Sequence, residues 1–307
     1  ESTSPVGTTE LIAQWLSDLR PDLSVPLSSD DAADIFIAHC PERVLPGRVM
    51  IELVENDRVI GGMTKGCADK AVELYKTFVK GECITTTCAT AEMAKLAENS
   101  FRDVNIAYAN ELSMICDELG INVWELISIT NLHPRVNILQ PGPGVGGHCI
   151  AVDPWFIISK SPERAKVIKA ARLVNDSKPV WVMDKIKSRI DEIKVTKSCD
   201  ASEVSVCLLG LAFKPDIDDL RESPALDISV QFAQKHTGSV SVVEPNIEAL
   251  PNVFDSMENV SFESDIDKAI NDADLIVLLV DHKQFKAIPA TRVAGKQVLD
   301  TRGVWDK

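Results

Sequence analysis

Residues 140–155, QPGPGVGGHCIAVDPW, place Cys149 directly after a glycine-rich loop, with His148 beside it and Asp153 four residues on. A thiolate is a strong nucleophile and suits covalent capture of a carbonyl carbon. The same pattern also suits a cysteine that only fills space, and His148 reads more simply as a hydrogen-bonding residue than as a base. Gly142, Gly144 and Gly147 satisfy the spacing G-x-G-x-x-G. A dinucleotide fingerprint, however, ends a strand and opens a helix, whereas Pro141 and Pro143 flank the first glycine and Pro154 soon follows the last. The glycines are instead expected to let backbone approach a ligand closely beside Cys149.

Two further groups could do chemistry. Lys95, Asn99 and Arg102 fall four and three residues apart, which sets them along one face of a helix. That face is either a solvated polar stripe or an arrangement that steadies developing negative charge. GLAFKPDIDDLRES (210–223) puts Lys214 and Arg221 in the loop after an apolar strand. Loops at the carboxyl ends of parallel strands bind ligands in α/β sheets, and Lys and Arg suit diphosphate oxygens; ordinary surface charge accounts for them equally well.

These residues need elements to position them. A Pro-Gly turn and a helix from Thr8 or Thr9 open the chain, followed by strands at 35–38, 58–61 and 83–86 with a helix at 63–79. From 91 to 119, Met93, Ala97, Phe101, Val104, Tyr108, Leu112, Ile115 and Leu119 recur at helical spacing until Gly120. A second helical stretch spans 162–193, interrupted at Pro179, and residues 133–154 between the two read as Pro- and Gly-rich coil. After a polar linker at 196–203, the segments VSVCLLGLAF, SVSVVEP, DADLIVLLVDH and QVLDTRGV read as strands of a parallel sheet, with a helix at 223–235.

Composition narrows the class. The 307 residues are 45% hydrophobic and 25% charged, which is globular, and no apolar run reaches the roughly 20 residues of a membrane span. A formal charge of −14 excludes nonspecific nucleic-acid binding, so an anionic substrate needs locally placed Lys and Arg. Eight scattered cysteines form no CxxC pair or Cys/His ligand set, so no metal is expected and most are read as buried thiols of a reducing cytoplasm.

In unbroken order, STSPVG (2–7), PERV (41–44), KLAENSF (95–101), GVGGHC (144–149), GLAFKP (210–215) and RESPA (221–225) resemble the UDP-glucose/GDP-mannose dehydrogenase family across essentially the whole chain. CPERVLPG, ENSFRDVNIA, HPRVNILQPGPGVGGHC and AVDPWF resemble its branch acting on UDP-N-acetylmannosamine more than the UDP-glucose branch. The resemblance implies an α/β fold in three parts. Residues 1–89 would be the remainder of an N-terminal NAD-binding Rossmann-like domain, 90–195 a central helical dimerisation domain with the cysteine loop, and 196–307 a C-terminal UDP-sugar-binding Rossmann-like domain. No strand, Gly-rich turn and ribose-binding acid precede Glu1, so the front of the cofactor domain is expected to be missing and the chain by itself to turn over no NAD.

The resemblance further implies oxidation of a sugar C6 alcohol to the acid with two NAD per turnover and no metal, for cell-surface polysaccharide synthesis. Cys149 would hold the aldehyde as a thiohemiacetal and then a thioester. Lys95 and Asn99 would stabilise the oxyanion, while Asp153, Thr3 and Glu42 would assist proton transfer and hydrolysis. Arg135, Gly144, Gly146, Gly147, Phe213, Lys214 and Arg302 would contact the UDP-sugar, and Thr3, Glu42 and Arg221 would lie toward NAD. The implied partners are the substrate and a second copy packed through the central helix, with neither nucleic acid nor membrane. UDP-N-acetylglucosamine or UDP-glucose as substrate, and a noncatalytic UDP-sugar-binding module, are the alternatives.

Overall fold

The computed structural model describes residues 1–27, 33–44 and 48–305, so residues 45–47 of the CPERVLPG segment lie outside the described residues. In chain order the elements are α1 (Thr8–Leu19), β1 (Ala38–His39), α2 (Val49–Glu55), β2 (Arg58–Gly62), α3 (Lys65–Tyr75), β3 (Cys83–Thr87), α4 (Cys88–Leu119) and α5 (Val123–Thr130). Then follow α6 (Asp153–Lys160), α7 (Lys166–Lys197), β4 (Val206–Leu209), α8 (Pro224–Lys235), β5 (Val240–Val243), β6 (Val260–Phe262) and α9 (Ile266–Asp272). The last elements are β7 (Leu275–Leu278), the short helices α10 (Lys283–Lys286) and α11 (Ala290–Val293), and β8 (Gln297–Asp300). They form two compact units, Glu1–Phe101 with Val152–Lys169, and Arg102–Ala151 with Ala170–Lys307.

The first unit is built on a three-stranded sheet of order β1-β2-β3, in which β2 and β3 are parallel and β1 antiparallel. Two glycines let β2 end against its neighbours. A Cβ on Gly61 would sit 2.6 Å from the Thr87 carbonyl, and one on Gly62 would sit 2.5 Å from the Ala68 nitrogen. Glu92 of α4, 1% exposed, accepts hydrogen bonds from Gly7 N (2.6 Å) and Thr9 N (2.8 Å), so a buried carboxylate caps α1 where the helix dipole favours negative charge. On α4, Leu96 packs with Ile157 and Ile158 of α6 and with Ala165.

The second unit holds a fully parallel sheet of order β6-β5-β4-β7-β8. Its central strands read as continuous apolar runs because both faces are covered. Val206, Leu208, Val240, Val242, Leu275 and Val277 join one core with α7 and α8. The alternating residues Cys207, Leu209, Val243, Ile276 and Leu278 join the other with α9 and Phe285. Ser223 caps α8, accepting from Leu226 N and donating to Leu211 O at 2.6 Å.

Several elements differ from the sequence reading for identifiable reasons. Pro154 opens α6 instead of belonging to coil, since proline in a first helical turn has no hydrogen bond to lose. Asn122 starts α5 by accepting from Trp124 N and Glu125 N. Helix α7 runs unbroken through Pro179. Buried Val182, Met183, Ile186, Ile190 and Ile193 fix it beyond that point, so packing outweighs the lost backbone bond. The short strand β6 carried too few apolar residues to be read as one.

Candidate active site

In the first unit, α4 and α6 bring three of the expected catalytic side chains together. Lys95 and Asn99 lie one turn apart, and Asn99 Nδ2 donates to Asp153 Oδ2 at 2.5 Å. Asp153 begins α6 and is 3% exposed. Burial raises its carboxyl above the ordinary range, only partly opposed by the Asn99 hydrogen bond and the Lys95 charge. The site therefore holds a carboxyl group of raised proton affinity beside an amide donor, with the Lys95 side chain one helical turn away.

Thr3 lies half-buried in the loop before α1. Glu42 follows β1 and is held locally, accepting from Arg43 N (2.6 Å) and Val44 N (2.8 Å) and pairing with the buried Arg58 at 3.3 Å. The unit β2–α3–β3 is the strand–helix–strand half that dinucleotide folds repeat. Its parallel strands carry Gly61, Gly62 and Thr87 at their carboxyl ends, where such folds take their ligand.

In the second unit, the cysteine loop closes on the two motifs that lead into α8. Gly146 lies so near Glu222 and Pro224 that a Cβ would sit 2.3 Å from the Glu222 carbonyl, and Gly147, at φ 81°, faces the Phe213 ring. A Cβ on Gly144 would meet Pro224 at 2.8 Å and Pro179 at 3.2 Å, and one on Gly142 would meet Arg302. These glycines thus permit protein–protein approach, where the sequence reading expected approach to a ligand. Gly142 N donates to Asn110 Oδ1 at 2.9 Å, while Asn110 Nδ2 donates to Asn175 Oδ1. Asn175 in turn donates to Asp103, which pairs with buried Arg172. The start of the loop is anchored to a polar network between α4 and α7.

Cys149 is the one exposed thiol of the eight cysteines, all of them free. Burial raises the thiols of Cys88 and Cys207 to about 12. Phe213, Lys214, Gly144 and Arg302 line one cleft beside Pro224. Arg302 is fixed there by donating to Asp281 Oδ1 (2.8 Å) and Pro141 O (3.3 Å). Arg221 forms a two-pronged pair with Asp219 on the surface, and Arg135 is exposed on the loop after α5. Among the described residues no cluster of His, Cys, Asp and Glu could hold a metal ion, and no helix is long and apolar enough to cross a membrane.

Sequence reasoning missed Glu92, Asn110, Asn175, Arg172, Glu244 and His282. The available signal was polar residues inside otherwise apolar helices and strands, as in RLVND and VVEP, because a buried polar group requires a partner.

With this geometry in place, the chain compares with known proteins over its whole length. The family models of the UDP-glucose/GDP-mannose dehydrogenases match residues 1–79 as the NAD binding domain, 89–177 as the central domain and 207–307 as the UDP binding domain. A UDP-N-acetyl-D-mannosamine dehydrogenase of Yersinia pestis is 60% identical over 99% of this chain and 72% of its own length. An NDP-N-acetyl-D-galactosaminuronic acid dehydrogenase of Ralstonia nicotianae is 56% identical over 99% of this chain and 69% of its own. The solved UDP-D-ManNAc dehydrogenase of Pyrococcus horikoshii superposes with a TM-score of 0.83 at 36% identity, covering 99% of this chain and 68% of that one. An NAD binding domain, a UDP binding domain and dehydrogenase relatives at this identity make the chain an NAD-dependent oxidoreductase of a UDP-sugar. The chain belongs to the UDP-glucose/GDP-mannose dehydrogenase family.

Proposed function

We propose that the chain is the catalytic and substrate-binding part of an enzyme that oxidises the C6 alcohol of UDP-N-acetyl-D-mannosamine to UDP-N-acetyl-D-mannosaminuronic acid. The 60% identity to the Yersinia pestis dehydrogenase, across nearly every residue, is the observation that carries this reading. NAD, when bound, supplies the hydride acceptor for both oxidations.

In this reading the Cys149 thiolate adds to the C6 aldehyde. A C–S bond forms, and the carbonyl electron pair passes to the oxygen, which Lys95 and Asn99 stabilise. Oxidation of that thiohemiacetal leaves a thioester. Water then adds to the acyl carbon, losing its proton toward Asp153 with Thr3 and Glu42 assisting, and the C–S bond breaks to release the acid and the thiol. A cysteine is required because the aldehyde must be retained between two oxidations. Arg135, Lys214 and Arg302 supply the positive charge that an acidic protein needs locally for a diphosphate. Gly144, Gly146 and Gly147 shape the loop against it, and Arg221 lies toward the cofactor. Two copies associate through α4, whose exposed Phe101, Tyr108 and Ile115 recur every seven residues. The enzyme works in the cytoplasm for surface polysaccharide synthesis, where eight free thiols persist.

The test is a Cys149→Ala enzyme assayed for uronate with UDP-N-acetylmannosamine, and the wild type assayed with the N-acetylgalactosamine, N-acetylglucosamine and glucose counterparts. Uronate formation should fall at least ~10³-fold in the variant with UDP binding retained. Undiminished product would remove Cys149 from the reaction, and faster turnover of another UDP-sugar would displace the substrate assignment.

A further inference from the structure

The loop 211–216, which carries Phe213 and Lys214, is tied at both ends by two buried side chains from other strands. Glu244, directly after β5 and 1% exposed, accepts from Leu211 N (2.7 Å) and Ala212 N (3.1 Å) through Oε2. His282, after β7 and fully buried, accepts from Asp216 N (2.9 Å) through Nδ1. With Nδ1 an acceptor, Nε2 must carry the proton, and it donates to Glu244 Oε2 at 3.0 Å. The imidazole thus joins the two anchor points. Asn246 completes the set, donating to Glu244 Oε1 through its backbone N (3.1 Å) and Nδ2 (3.0 Å).

The far end of the loop needs such an anchor. Asp216 adopts φ 62°, a left-handed conformation costing a non-glycine residue roughly 1–2 kcal/mol, and its Oδ1 accepts from Lys283 N at 2.9 Å. Glu244 also occupies a telling position. It ends the second strand of the unit β4–α8–β5, where dinucleotide folds place the acid that binds a ribose. Here both of its oxygens are engaged by protein donors. The residue that would recognise a ribose holds a loop in place.

We propose that Glu244 and His282 are positioning residues that clamp residues 211–216 and hold Phe213 and Lys214 in the form that receives the diphosphate of a UDP-sugar, a proposal that rests on the role given to Lys214 above. Between the anchors, the Phe213 ring also backs Gly147 of the cysteine loop, with a Cβ there only 3.1 Å from it. Slackening the clamp therefore disturbs the floor of the cleft without removing any group that touches substrate.

The experiment titrates UDP into the wild type, Glu244→Gln, His282→Leu, His282→Asn and Lys214→Met by calorimetry, and follows amide hydrogen exchange. Losing one buried anchor should weaken UDP by roughly 5- to 20-fold. Amides 211–216 should gain more in exchange rate than those of β4 and β7, whose protection falls only with global stability. Asn, whose Oδ1 can stand where Nδ1 accepts from Asp216 N, should recover much of the loss seen with Leu. If Lys214→Met weakens UDP but both clamp variants bind as the wild type, the clamp is overturned and the role of Lys214 stands. If Lys214→Met binds normally, the role of Lys214 falls, and unchanged exchange at 211–216 in His282→Leu then overturns the clamp independently. Protection lost evenly over the whole sheet makes the pair a general stabiliser and overturns the proposal. Should Glu244→Gln fail to fold, the two His282 variants decide.

Discussion

Asp153 in one unit and Glu244 in the other are both carboxyl groups almost sealed from water, at 3% and 1% exposure, yet their proton affinities move in opposite directions. Asp153 has one amide donor and a nearby ammonium, and burial prevails, raising its pKa. Burial also acts to raise Glu244, but hydrogen bonds from His282, Leu211 and Asn246 outweigh it and hold that pKa below the ordinary value. Burial alone does not define a carboxyl's role; the number of donors does. A group left short of donors keeps its reactivity, whereas a saturated one becomes part of the frame.

The sharpest way to break this comparison is kinetic. Asp153→Asn keeps an acceptor for Asn99 but cannot exchange a proton, so kcat for uronate formation should fall by about 10²–10⁴, the usual contribution of a placed acid or base. Glu244→Gln should act on KM instead. Equal kcat losses in both would show that donor saturation does not separate the two roles.

The second measurement is stability. Glu244→Gln should cost roughly 2–3 kcal/mol at pH 7, since it replaces a saturated buried carboxylate. Its depressed pKa makes the wild-type stabilisation present above the unfolded carboxyl value and lost as pH falls through the folded one. Urea melts at pH 7 and pH 4 should show the gap narrowing in acid. A gap that widens toward pH 4 contradicts the sign.

A buried cation extends the contrast to the opposite charge. Lys178, 2% exposed, donates to Ser113 Oγ at 2.6 Å and lies 3.7 Å from the Trp181 ring centre. Burial pushes its pKa down to about 7, and the charge of Asp117 only partly offsets this. The unfolded chain binds more protons between about pH 7 and the ordinary lysine value of about 10.4, so stability should rise with pH across that window. Lys178→Met should stabilise by about 1–2 kcal/mol at pH 7, with the gain shrinking toward pH 10. Thermal melts across that range check it.

What could be read in the sequence follows from how far its causes reach along the chain. The parallel sheet of 206–300 was legible because strands covered on both faces must be uninterruptedly apolar, and α4 was legible from its apolar periodicity. The glycine loop was visible by composition, yet what its glycines approach, Glu222 and Pro224, lies more than seventy residues away. Glu92 capping α1, 83 and 85 residues distant, and Glu244 holding Leu211, 33 residues distant, leave no periodic trace, because one buried polar side chain looks the same before its partner is known. Pro154 misled for a local reason: proline near glycines reads as coil until Asp153 ahead of it is recognised as a helix start.

The smallest expected effect bears most directly on the comparison, because it uses the catalytic candidate in a measurement without catalysis. The folded pKa of Asp153 is raised, so between the unfolded carboxyl value near 3.9 and that raised value the native state binds more protons than the unfolded chain. Stability contributed by this group therefore falls as pH rises through the window, the reverse of Glu244. At pH 7 the native state carries the cost of a buried charge that Asn does not have. Asp153→Asn should then be more stable than the wild type by on the order of 1 kcal/mol at pH 7, with no difference at pH 3. The gain should persist in a background where Lys95→Met removes the nearby ammonium, and should grow there, since Lys95 lowers the cost of the charge. Urea midpoints of the four proteins at both pH values give the answer. If Asp153→Asn proves less stable than the wild type at pH 7, the Asn99 hydrogen bond and Lys95 outweigh burial, and Asp153 belongs with Glu244 as a framework carboxylate.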